Sequence, residues 1–79
     1  MTVDTLTGYA DDLRALSPGG SVVRHARVPL DQRDRLDAFR RAITAANAKA
    51  DGSFRTQSLD GVTDDFSHAV RAVITTRIN

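Results

Sequence analysis

Residues 69–78 read Ala69-Val70-Arg71-Ala72-Val73-Ile74-Thr75-Thr76-Arg77-Ile78, and the fold turns on whether this run is a strand or a helix. Taken every second residue, it separates into Val70, Ala72, Ile74, Thr76 and Ile78 on one side and Arg71, Val73, Thr75 and Arg77 on the other. That alternation is the signature of a strand with one buried face. Six of the ten residues are β-branched, a density that suits a pleated surface better than a helix. The rival geometry winds Asp64 to Arg77 as a helix, aligning Phe66, Val70, Val73 or Ile74, and Arg77 or Ile78. The strand reading makes this the central strand of a small sheet. Its even-numbered row is expected to carry the helices, which leaves Arg71 and Arg77 on the opposite face.

Upstream, Ser53 to Leu59 alternates as a strand anchored by Phe54, and Asp60-Gly61 is a tight-turn dipeptide of the kind that joins antiparallel strands. Val62 to His68 is polar apart from Val62 and Phe66, and reads as a short loop or helical turn. Leu30 to Ala50 is the clearest helix, with Leu36, Phe39, Ile43, Ala46 or Asn47, and Ala50 forming one apolar stripe. Asp31 is placed to cap it, Asp34 favours its first turn, and Asp51-Gly52 stops it. Ser21 to Val28 is a strand with Val22, Arg24, Ala26 and Val28 on one face and Val23, His25 and Arg27 on the other, closed by Pro29. Arg24 interrupts the more apolar row, which suits an edge position. A first helix runs from Val3 to Leu16 on the stripe Val3, Leu6, Ala10, Leu13 and Leu16, with Thr2 or Asp4 as its cap and Ser17-Pro18-Gly19-Gly20 as its stop. Gly8 falls inside that helix, where glycine costs roughly 1 kcal/mol relative to alanine.

Two strands joined by a long helix normally lie parallel in one sheet, and the most β-branched strand belongs between them. The expected fold is therefore α+β, a single domain over residues 1–79 with element order α-β-α-β-β. It is a two-layer sandwich: a three-stranded sheet of order 1-3-2 with both helices on one face.

Composition narrows the function classes. The 79 residues are 41% hydrophobic and 27% charged, ordinary for a globular domain, and the net charge of +1 gives no whole-molecule pull toward nucleic acid or membrane. So small a chain buries a thin core, and self-association into a homo-oligomer is expected to supplement it. Cysteine is absent, which removes disulfides and thiolate metal sites. The opening Met-Thr-Val-Asp-Thr-Leu-Thr lacks the pattern of a signal peptide and no stretch is long enough to span a bilayer, so the expected location is the cytoplasm. All ten acids are Asp and ten of the eleven basic residues are Arg, a bias that suggests a GC-rich coding genome or its phage.

Charge position carries the functional reading. The three expected strands hold Arg24, Arg27, Arg55, Arg71, Arg77 and His25 but no acid. With the helices on one face, Arg27, His25, Arg55, Arg71 and Arg77 are expected to share the other as a positive surface, and Arg is the side chain suited to carboxylate and phosphate. The bland alternative is that these arginines pair with Asp residues of a second copy or keep a sheet face soluble. Catalysis finds no support: His25 and His68 have no cysteine or serine elbow to serve, and Asp64 with His68 supplies only two ligands, so neither a catalytic set, a metal nor a cofactor is expected. The Asp31, Asp34, Asp37 run reads as a solvated helix face interleaved with Arg33, Arg35 and Arg40.

Residues 22–40, Val-Val-Arg-His-Ala-Arg-Val-Pro-Leu-Asp-Gln-Arg-Asp-Arg-Leu-Asp-Ala-Phe-Arg, resemble the strand, proline and first helix of ribbon-helix-helix repressors. That resemblance implies a dimer whose paired strands enter the DNA major groove through Val23, His25 and Arg27, and it requires the helical reading of the C-terminal segment. The leading expectation is instead a non-enzymatic binding protein whose arginine-rich face takes an acidic protein partner, in the manner of a phage-encoded modulator. DNA-binding regulation through the strand 22–28 is the alternative, with nucleic acid reached through Arg27. Base stacking has little to work with, since the aromatics are Tyr9, Phe39, Phe54 and Phe66 alone.

Overall fold

In the computed structural model, which describes residues 6–79, residues 68–77 form a strand and lie in the middle of the sheet. The elements are α1 (Tyr9–Ala15), β1 (Ser21–Pro29), a 3-10 turn (Leu30–Gln32), α2 (Arg35–Lys49), β2 (Phe54–Val62) and β3 (His68–Arg77). β3 is antiparallel to β1 on one side and to β2 on the other, giving the order β1-β3-β2 and leaving β1 and β2 parallel, as their long helical connection demands. The α+β arrangement of two helices on a three-stranded sheet is thus the one the alternation implies. No helix follows α2, so the second helix that a ribbon-helix-helix fold requires is absent, and β1 pairs with β3 of its own chain. Neither described helix is long and apolar enough to cross a membrane.

Both helices cover the same face. Leu36, Phe39 and Ile43 of α2 and Tyr9 and Leu13 of α1 close over Ala26 and Val28 of β1 and Ala69 and Val73 of β3, forming the buried core. The face of β3 that meets them is the reverse of the expected one. Ala69, Val73 and Thr75 are buried, and the register pairs Ala26 with Arg71 and Val28 with Ala69, so the odd-numbered row points at the helices. A pleat fixes that alternate residues face opposite ways; which row faces inward depends on register, and a one-residue slip exchanges them. Here every polar member of the inward row finds a partner. Arg71 meets Asp37 and Asp60, Thr75 meets Tyr9, and Arg77 meets a backbone carbonyl, so the row is tolerated beneath the helices.

Several boundaries also move. The α1 helix begins at Tyr9 with Gly8 as its N-cap at φ 75°, a left-handed conformation that glycine adopts without steric cost, so Gly8 lies outside the helix interior. Tyr9 takes the buried position, and Ala10 is exposed. The expected caps Thr2 and Asp4, and Val3 with them, lie outside the described residues. Asp34 flanks α2 at the N-cap position, whereas Asp31 sits in the preceding 3-10 turn. Asp60 and Gly61 are not a turn but the last part of β2, because Asp60 is held opposite Arg71 in the ladder. The chain reverses at Thr63 to Ser67 instead.

Candidate functional site

The face of the sheet away from the helices carries Val23, His25 and Arg27 from β1, Val70, Ala72, Ile74 and Thr76 from β3, and Arg55, Gln57 and Leu59 from β2. Cross-strand neighbours follow from the register: Val23 beside Ile74 beside Gln57, His25 beside Ala72 beside Leu59, and Arg27 beside Val70 beside Gly61. The centre of this face is therefore apolar. Val23 is 52% and Leu59 63% exposed, with Val70, Ala72 and Ile74 half-buried between them. No acidic residue of the described strands stands on it.

Of the five expected binding residues, Arg27, His25 and Arg55 lie here and are exposed. Arg27 and Arg55 occupy opposite corners, about 20 Å apart along the strands by register. They flank the apolar stripe and do not converge on one point. Arg71 and Arg77 do not belong to this surface. Arg71 lies under α2 with its side chain 15% exposed, where Nε and Nη2 donate to Asp60 at 2.7 and 3.2 Å and Nη1 donates to Asp37 at 2.8 Å. It ties β2, β3 and α2 together, and it holds the Asp60 carboxyl below the ordinary carboxylate range. The Nη1 of Arg77 donates to the Leu16 carbonyl at 2.7 Å and its Nε to the Asn79 carbonyl at 3.1 Å, fastening the end of α1 to the end of β3.

The connection between β2 and β3 is built around Asp65. Its carboxylate accepts from the Ser67 hydroxyl at 2.7 Å, the Thr63 hydroxyl at 2.8 Å and the Ser67 backbone N–H at 3.1 Å. These bonds, led by Ser67, depress its pKa to about 2. The Phe66 N–H donates to the Thr63 carbonyl at 2.8 Å, and Leu30 N–H ties the loop to the end of β1 through the Ser67 carbonyl at 3.0 Å. Between these fixed points Phe66 takes φ 58° and is 74% exposed. A bulky residue in that left-handed region costs about 1–3 kcal/mol and persists only where its surroundings enforce it. The hairpin thus holds out an aromatic ring in a strained pose.

At the opposite end of β3 a cleft of about 510 Å³ opens between the helix ends, lined by Ala10, Leu13, Arg14, Ala46, Lys49, Ala50, Asp51 and Arg77. Above the sheet, the Tyr9 hydroxyl donates to Asn47 Oδ1 at 2.6 Å and shares a hydrogen bond with Thr75 Oγ1 at 2.8 Å. The Arg24 guanidinium stacks 5.6 Å from the Tyr9 ring centroid and pairs with Asp12. Burial pushes the Tyr9 hydroxyl above its ordinary pKa. Every partner in this set is satisfied, so it is a clamp between α1, α2 and β3.

Sequence reasoning missed the apolar stripe, Phe66 and Tyr9. An aromatic inside the polar run Thr63-Asp64-Asp65-Phe66-Ser67 was the one available sign of a presented ring. His68 Nδ1 engages the Ser67 hydroxyl at 2.7 Å, and among the described residues no three His or Asp side chains gather as a metal site. Comparison with protein-family models, with curated proteins and with solved structures finds no match to this chain.

Proposed function

We propose that this chain is a non-enzymatic docking protein whose open sheet face takes a partner surface with an apolar centre and an acidic margin. The observation that carries this reading is the composition of that face: Val23, Leu59, Val70, Ala72 and Ile74 uncovered at its centre, with Arg27, His25 and Arg55 around them and no acid among the described strand residues. Contiguous exposed apolar area mostly marks an interaction site, and a cationic margin steers acidic partners to it. The face cannot complement itself electrostatically, since its described strands present basic side chains and no acid.

The test is a titration of the isotope-labelled chain with an acidic amphipathic peptide of alternating Leu and Glu. The controls are a Leu and Lys counterpart and a DNA duplex. Amide shifts concentrated at Val23, Leu59, Val70, Ala72 and Ile74, lost in Leu59→Asp and weakened in Arg27→Asp, support the proposal. Equal binding of the basic peptide overturns it, as do shifts confined to the helices. Duplex binding that falls steeply with salt and depends on Arg27 would put the nucleic-acid reading in its place.

A further inference from the structure

A second surface pair lies outside the open sheet face. We propose that the β2–β3 hairpin tip of one copy, led by Phe66, docks into the cleft between the helix ends of a second copy. Phe66 is the most exposed large apolar side chain in the described structure, and the Asp65 hydrogen bonds fix it outward before any partner arrives. Aromatic anchors of this kind, held rigid and inserted into a pocket, dominate the affinity of protein contacts.

The cleft suits the tip in size and in charge. Its apolar wall is Ala10, Ala46 and Ala50 over the buried Leu13, and its volume of about 510 Å³ accommodates a phenyl ring with room for flanking backbone. Arg14, Lys49 and Arg77 line it against a single acid, Asp51. The tip carries Asp64 and Asp65 beside the ring and no base between Thr63 and Ser67. Arg14 is partly engaged by Asp11, and Arg77 donates to carbonyls, whereas no carboxylate among the described residues lies within ion-pair distance of Lys49. A chain cannot fill its own cleft, because tip and cleft stand at opposite ends of β3, about 30 Å apart. The joint is between unlike surfaces and repeats from copy to copy.

So small a contact gives a Kd on the order of 100 µM, within reach of sedimentation equilibrium from about 10 µM to about 1 mM. Two variants separate its halves. Phe66→Gly removes the ring while suiting the left-handed backbone, so the fold is kept. Lys49→Glu with Arg14→Glu inverts the cleft. Each alone is expected to weaken self-association at least tenfold, and an equimolar mixture, which offers one intact tip and one intact cleft, is expected to recover a one-to-one pair at wild-type affinity. Recovery on mixing also shows that both variants are folded. A wild-type chain that stays monomeric at about 1 mM overturns the proposal, as does unaltered assembly of either variant or a mixture that remains monomeric. The open face plays no part in this contact, so Leu59→Asp leaves it unchanged.

Discussion

Replacing Tyr9 with Phe tests the buried clamp that joins α1, α2 and β3. The ring, its stacking with Arg24 and its packing over Leu13 remain, and only the hydroxyl is lost. Thr75 is fully buried, so its hydroxyl is left without the partner it meets at 2.8 Å; Asn47 is half-buried and takes water instead. An orphaned buried hydroxyl costs about 1–3 kcal/mol, and we expect about 1.5 kcal/mol for Tyr9→Phe. In a domain of this size that lowers Tm by roughly 6–12 °C. Thr75→Val alone should cost about 0.5–1 kcal/mol, since the Tyr9 hydroxyl keeps its bond to Asn47 at 2.6 Å. The double variant removes both members of the pair, and its cost should stay at or below that of Tyr9→Phe, a coupling of about 1 kcal/mol. Urea unfolding followed by circular dichroism, with unchanged m-values, measures all four corners of the cycle. Additivity within about 0.3 kcal/mol would show that the hydroxyls do not depend on each other and would refute the clamp.

Three further outcomes are expected. Val73→Asp places a charge beneath the helices and abolishes folding, whereas Ile74→Asp, one residue along on the open face, leaves a folded chain; the far-ultraviolet spectra of the two decide which row of β3 is inward. The Asp65 carboxyl, depressed to about 2 from an ordinary 3.8, contributes loop stability that is complete above the ordinary value and lost as pH falls through about 2. The Ser67 amide resonance should report that titration, and a midpoint near 4 would contradict the hydrogen bonds drawn for the hairpin. Arg71→Ala should return the Asp60 pKa upward toward its ordinary value, seen by carboxyl NMR, and should cost roughly 1 kcal/mol in urea unfolding.

The period of the apolar residues made element type and order legible, because strand and helix periods leave their mark within a few residues of chain. The inward row of β3 was not legible. Judged by hydrophobicity alone, Val70, Ala72 and Ile74 outrank Ala69, Arg71 and Val73; what reverses the choice is the supply of partners from far along the chain, Asp37 and Asp60 for Arg71 and Tyr9 for Thr75. Two of the five expected site residues left the open face for the same reason. Asp60-Gly61 misled similarly: the dipeptide favours a turn locally, but pairing with Arg71 keeps Asp60 in the ladder, and the reversal shifts to where Asp65 can organise it. Arg27, His25 and Arg55 lie on the face expected of them because β1 and β2 keep the alternation they display.

The reversed strand is also the main physical support for the binding role proposed for the open face. A short chain gains most of its stability from apolar burial, and turning β3 the other way would bring Val70 and Ile74 beneath the helices and release two arginines to water. The structure instead holds Arg71 and Arg77 under the helices, each with hydrogen-bond partners, and leaves the larger apolar row uncovered. The hairpin departs from local preference as well, with a phenylalanine in the left-handed region facing water although asparagine, aspartate or glycine would sit there more easily. Sequences generally agree with their folds at every level, and departures concentrate where function requires them. Two such departures, at separate places and of unrelated origin, both expose apolar groups that a purely structural solution would cover. Their separation has a consequence for the two proposals, since the proposed sheet face for an acidic partner and the proposed tip-and-cleft joint for a second copy could be occupied at the same time.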